Sequence, residues 1–308
     1  MNLFLLYIWA ILMSSSFIVS ANMAQYASPI ATSGFRFALA LIFISFILVI
    51  KWKMDKLNIA SEIKNLFTSP KLIINYIIIS GTLVGFFIGL FIALQYTTAL
   101  NTSVVYTLVP LISIVFSRIF LKEILMPIKV VGFILGSISA IILLLSSQSS
   151  SILFANISFN KGDIIFTLAC MFLALHVIFA QKWGKVLPPI SSAFMIMCFG
   201  VLWLLPITII WGNLNQVTWH AGGFWLNALY LTIFTTLLTF ILQQRLVQHV
   251  GANRLLAFSY TIPLWVAIYS AMSNHQLQSI LNSKFLAGVF ILVIAFILIE
   301  SKKTNVVY

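Results

Sequence analysis

Long apolar stretches alternate with short polar ones along almost the whole chain. Cutting at the charged and turn-forming segments leaves ten runs: 3–22, 30–50, 72–94, 99–121, 128–146, 162–181, 190–211, 223–244, 252–273 and 284–300. Each is close to the ~20 residues that an α-helix needs to cross a bilayer core of about 30 Å. The pattern predicts ten transmembrane helices joined by short loops. The longest loop, 51–71, carries Lys51, Lys53, Lys56, Lys64 and Lys71 with Asp55 and Glu62. The first run, from Leu3 to Val19, has no charged n-region and no small-residue cleavage site, so it reads as a span and not as a signal peptide.

The basic residues fall on alternate connections. With the N-terminus placed in the cytoplasm, the inside segments hold Lys51, Lys53, Lys56, Lys64 and Lys71; Arg118, Lys122 and Lys129; Lys182 and Lys185; Arg245 and Arg254; and Lys302 and Lys303. The outside segments hold only Lys161 and Lys284, and Arg36 lies within span two. Fourteen against two follows the positive-inside bias and predicts an even number of spans with both termini cytoplasmic.

Composition excludes a soluble fold. Of 308 residues, 62% are hydrophobic and 7% charged, where a soluble domain carries about 25% charged residues. A net charge of +12 would point a soluble protein towards nucleic acid. Here the charge sits in short loops and acts as a topology signal, so no nucleic-acid partner is expected. Cys170 and Cys198 both lie in apolar runs, with no spacing that suggests a disulfide or a metal.

The two halves resemble each other. Span four reads Ala99-Leu-Asn-Thr-Ser-Val-Val-Tyr-Thr-Leu-Val-Pro110, and span nine reads Ala252-Asn-Arg-Leu-Leu-Ala-Phe-Ser-Tyr-Thr-Ile-Pro263. A small residue precedes a mid-helix proline by the same distance in both, at an offset of 153 residues that also pairs Gln95 with Gln248. Five spans per half is an odd number, so the second half must enter the membrane from the opposite side. That is an inverted repeat, the architecture of many secondary transporters.

Further residues carry a family likeness. They are Trp9 with Ser14 to Phe17, Pro29 followed by Arg36-Phe37, the small-residue stretch Gly81 to Gly89, and Ala99 to Pro110. Arg118 to Glu123 ahead of Gly132 and Gly136, Gly162-Asp163, Pro188-Pro189 and Ala252 to Pro263 complete the series. In this order and spacing the chain resembles the drug/metabolite transporter superfamily, in its ten-helix EamA-type branch. The resemblance implies two five-helix repeats, residues 1–148 and 149–308. It also implies export or exchange of amino acids, other small metabolites or drugs across a bacterial inner membrane. The glutamate that ends the fourth helix of each repeat in that family is Glu123 here, while its counterpart by the 153 offset is Gln276. An anchoring ion pair is therefore expected to be missing from the second half.

Polar groups inside a membrane are costly and are the default functional candidates. Arg36, about two turns inside span two, either meets a substrate carboxylate, snorkels to the outer interface or bonds backbone carbonyls. His176 of span six either lines the pathway or is a neutral imidazole bonded to a neighbouring helix. Pro110 and Pro263 should kink spans four and nine and free backbone carbonyls. Tyr106 and Tyr260, just upstream of those prolines, are expected to line a cavity. Ser16 sits among the serines of span one, and Thr235 in a face of Thr232, Thr235, Thr236 and Thr239 on span eight. Such hydroxyls mostly bond their own backbone or join helices. Gly85, with Gly81 and Gly89, has the small-xxx-small spacing of close helix approach.

All five acids lie in loops or at helix ends, so no mid-membrane carboxylate is available for proton coupling. Exchange or facilitated diffusion is expected, or coupling through His176 or an interfacial acid. Nor do paired aspartates for Mg²⁺, an H-E-x-x-H helix or a phosphate-binding glycine loop occur, which argues against an intramembrane enzyme or an ATP-driven pump. The reading is a secondary transporter without cofactor or metal, whose partners are a small-molecule substrate and the lipid bilayer; the alternative is an intramembrane enzyme or a non-transporting membrane scaffold. A homodimer is left open. Its cavity is expected between the halves, walled by spans three, four, eight and nine.

Overall fold

The computed structural model describes residues 2–97, 99–146, 160–273 and 282–301. Among these the chain is helical, without strands, and nine runs are long and apolar enough to cross a membrane. They are span one (Asn2–Met23), two (Pro29–Met54), three (Pro70–Ala93), four (Asn101–Leu121), five (Pro127–Ser146), six (Lys161–Val186), seven (Pro189–Trp211), eight (Gly222–Val250) and ten (Ser283–Glu300). Span nine is the tenth, in three helical pieces: Ala252–Ala257, a 3-10 turn at Phe258–Thr261, and Ile262–Ser273. Gln276, Lys302, Lys303 and the expected boundary at 148/149 lie outside the described residues.

Local chemistry sets the ends of the spans. Ser28 accepts from the Ala31 N–H ahead of Pro29 at N1, and Ser69 does the same for Leu72 ahead of Pro70. Asn160 and Asp163 form a capping box at the start of span six, and Asn282 caps span ten. A side-chain oxygen takes up an orphan N–H, and a proline occupies the position that has none to offer.

The segment expected as a loop at 51–71 contains a further helix, Ile59–Thr68. Asn58 caps it through bonds from Ala60 and Ser61, and Glu62 sits in its first turn. Ile59, Ile63, Leu66 and Phe67 share one face, with Leu66 buried and the Phe67 ring against Phe199. Its lysines suggest a solvated loop, but the i, i+4, i+7 apolar spacing is enough to fold it against the membrane domain.

Contacts between spans come in related pairs. Span two packs on seven, four on nine and five on ten, each joining equivalent members of the two halves. Span three on six is matched by eight on one, three on seven by eight on two, and four on six by nine on one. With five spans per half, this pseudo-two-fold arrangement is the inverted repeat. The breaks obey it as well: span four is interrupted at Thr107–Leu108 and span nine at Phe258–Thr261, which overlap at the offset of 153.

Candidate functional site

A cavity of about 140 Å³ lies at the interruptions of spans four and nine. Tyr106 and Ser103 of span four face it, as do Tyr260 and Pro263 of span nine. Phe17 of span one and Ala140 and Leu144 of span five complete the wall. Spans one and five thus replace the expected three and eight, which pack on other neighbours. Span three lies on six and seven, and span eight on one and two. Span five comes close because of Gly136, where a Cβ would lie 2.4 Å from the Tyr260 ring. Only a residue without a side chain lets that ring lie flat against the helix.

The walls are mainly apolar, with hydroxyls at chosen points. The Tyr106 ring is held by Phe17 (6.2 Å) and Phe86 (6.4 Å), and its hydroxyl has no hydrogen-bond partner among the described residues. Ser137 Oγ donates to the Thr107 carbonyl at 2.7 Å, inside the break that precedes Pro110. That bond uses its one proton, so across the 3.4 Å to Tyr260 the phenol is the donor. The interruption leaves the Thr107 carbonyl outside the helical ladder, and a neighbouring span supplies its donor. A site of this size matches a compact solute, comparable to the ~150 Å³ cavity that holds benzene.

The structure does not gather the other sequence candidates around this cavity. Pro110 is buried beside the break and Gly85 lies against the Phe172 ring. Ser16 is half-buried next to Phe17. His176 is fully buried, with Nδ1 2.8 Å from the Ile79 carbonyl and Nε2 3.1 Å from Gln243 Nε2. A carbonyl can only accept, so Nδ1 carries the proton, and Nε2 accepts from the Gln243 amide. This is the neutral, helix-joining imidazole of the two readings. Thr235 and Thr236 are brought to Arg36, which donates from Nε to Thr236 (3.0 Å) and from Nη2 to Thr235 (3.2 Å). They lie on a π-helical turn, Ile233–Leu238, where both hydroxyls donate to the Leu231 carbonyl.

Two polar clusters at opposite faces were not anticipated from the sequence. On the face that carries the N-terminus, Glu123 accepts from Gln181 (2.7 Å) and Asn253 (3.2 Å), and Asn253 also meets Ser113 and Ser117. Glu123 is thus held by amides and ties the end of span four to spans six and nine. On the other face, Asp163 accepts from Thr97 (2.6 Å), Asn101 (3.3 Å) and the Asn160 N–H (2.9 Å). The acids were visible as helix-end residues, but amide partners two or more spans away leave no local signal.

These features define a polytopic helical membrane protein with a small internal cavity at paired helix breaks. The family model of the EamA-like transporter family matches residues 1–145 and 160–301. The chain belongs to that family and is a membrane transporter. It is 23% identical over 263 residues to an uncharacterized transporter, YyaM, of Bacillus subtilis (strain 168), covering 85% of this chain and 82% of that one. A solved crystal structure at 14% identity superposes with a TM-score of 0.77, covering 97% of this chain and 96% of the other, and shows the same fold.

Proposed function

We propose that the chain is a secondary carrier that exports or exchanges a small metabolite, such as an amino acid, across the inner membrane. Both termini lie in the cytoplasm, and access to the cavity alternates between the two faces. The cavity at the paired breaks carries this reading. A carrier needs a site that both halves share, and spans one, four, five and nine bring residues of both repeats to one place. Interrupted helices are compliant there, because Pro110 and Pro263 each remove an N–H from the helical ladder. The charge balance, fourteen basic residues on one set of segments against two on the other, supports the orientation.

The test is flux into vesicles holding the purified full chain. Saturable uptake that speeds up when unlabelled solute is placed on the far side indicates exchange by a carrier. Flux that grows linearly with concentration and shows no counter-flow indicates a channel. Turnover of lipid or peptide without flux overturns the reading altogether.

A further inference from the structure

Among the described residues, Arg36 is the one cation seated about two turns inside a span, and its surroundings are incomplete. It belongs to the stripe of span two that includes Ser33, Phe37, Ala40 and Ile44, all of them buried. The side chain therefore faces the neighbouring spans and not lipid. Thr235 and Thr236 use their own protons on the Leu231 carbonyl, at 2.9 and 2.8 Å, so they act as acceptors towards the guanidinium. Their two bonds occupy its side edge, Nε with Nη2. The end edge, with one proton each from Nη1 and Nη2, has no partner among the described residues. Nor is the charge matched, since the ion pair found among the described residues is Arg254–Glu300, at the far end of the molecule.

Neutral hydroxyls orient a guanidinium without neutralising it. A cation in a low-dielectric setting is stabilised best by a counter-charge with good geometry. The free edge offers two parallel N–H donors, which match a carboxylate or phosphate oxygen pair. Pinning the side edge also removes the snorkelling alternative, because a side chain bound across to span eight cannot extend along its own helix to the interface.

We propose that Arg36, held by Thr235 and Thr236, receives an oxyanion group of the transported solute, a carboxylate or a phosphate, at a station apart from the cavity of the paired breaks. This rests on the carrier reading above. The π-turn serves the site by placing two adjacent threonines on the same edge of the guanidinium.

The experiment follows three groups of probes into vesicles holding the full chain, with mass-spectrometric readout. The first group is the proteinogenic amino acids with lactate and malate, the second their amides, and the third glycerol phosphate and glucose phosphate. Carboxylates or phosphates are expected to cross and amides to lag, and the group that crosses tells which oxyanion is read. Arg36→Gln should lower the anion flux about ten- to hundred-fold, the range expected for a lost charge-assisted hydrogen bond. Arg36→Lys, which keeps the charge and loses the fork, should fall in between. If Arg36→Gln does not fold, the Thr235→Val/Thr236→Val pair leaves the charge in place and should still reduce anion flux. Protein-dependent flux of amides that these variants leave unchanged overturns the proposal while leaving the carrier intact. No protein-dependent flux of any probe overturns the carrier reading, and the proposal with it.

Discussion

The contact of span two with span eight and that of span three with span seven occupy related positions in the two repeats, yet they are filled differently. Between three and seven the polar groups are neutral and bonded to one another, apart from Gln244 Nε2, which is buried without a partner among the described residues. Tyr76 Oη lies 2.6 Å from Ser192 Oγ, and Ser192 donates to Gln244 Oε1 at 3.2 Å. His176, with Ile79 and Gln243, extends the same buried layer. Between two and eight there is a charge with one edge satisfied and one open. Symmetry of backbone therefore does not carry over to symmetry of chemistry. One interface holds neutral groups alone, and the other keeps a charge whose open edge a ligand of opposite charge would satisfy.

The strongest challenge to this contrast is to place the same charge in the neutral interface. Counting from the proline that opens each helix, Pro29 and Pro189, the counterpart of Arg36 is Ile196, which is fully buried. Ile196→Arg should cost several kcal/mol, on the order of 3–5, because no pair of hydroxyls awaits the guanidinium. Little folded protein should be recovered from membranes by size-exclusion chromatography. Next in size is Ser192→Ala, which strands both the Tyr76 hydroxyl and Gln244 Oε1. A loss of about 1–3 kcal/mol follows, visible as a lower unfolding midpoint in detergent, with flux per folded molecule retained. Gln243→Leu removes the donor to His176 Nε2 and should cost about 1–2 kcal/mol by the same measurement. It should leave the pH profile of flux unmoved, since the histidine acts as a joint between helices. Smallest of all in stability should be Arg36→Gln. Removing an unmatched, half-buried charge changes the midpoint little or raises it, although the anion flux falls. A midpoint that drops as far as in Ser192→Ala would make Arg36 a structural tie and erase the contrast.

Much of the architecture could be read from the residues. Apolar length locates the spans, and the offset of 153 pairs Pro110 with Pro263 in the sequence itself, because a proline leaves the same gap in any helix. Tyr106 and Tyr260 came from that pairing, and both border the cavity. The π-turn at Ile233–Leu238 could not be foreseen, since the threonines that shape it bond a carbonyl of their own helix as any membrane threonine can. Which side chains meet across spans was equally hidden. Periodicity gives the direction of a stripe on one helix, but the partner depends on how that helix is rotated against the next. Asn253 and Gln181 reach Glu123 from two other spans, and neither lies in a pattern that names the acid. In the same way, the helix at Ile59–Thr68 was masked by its lysines, although its apolar face was present in the sequence.

The 3-10 turn at Phe258–Thr261 also has a mechanical meaning. A 3-10 turn rises about 2.0 Å per residue against 1.5 Å in an α-helix, so rewinding these four residues would draw in span nine by about 2 Å. It also advances about 120° per residue against 100°, and the same rewinding would turn the two ends of the span by roughly 80° relative to each other. Tyr260 lies inside the segment that changes pitch, and Gly136 presents it with a bare backbone over which to slide. Span nine is thus built as a screw with a short section of different thread, so that a small axial stroke becomes a large swing of one aromatic side chain.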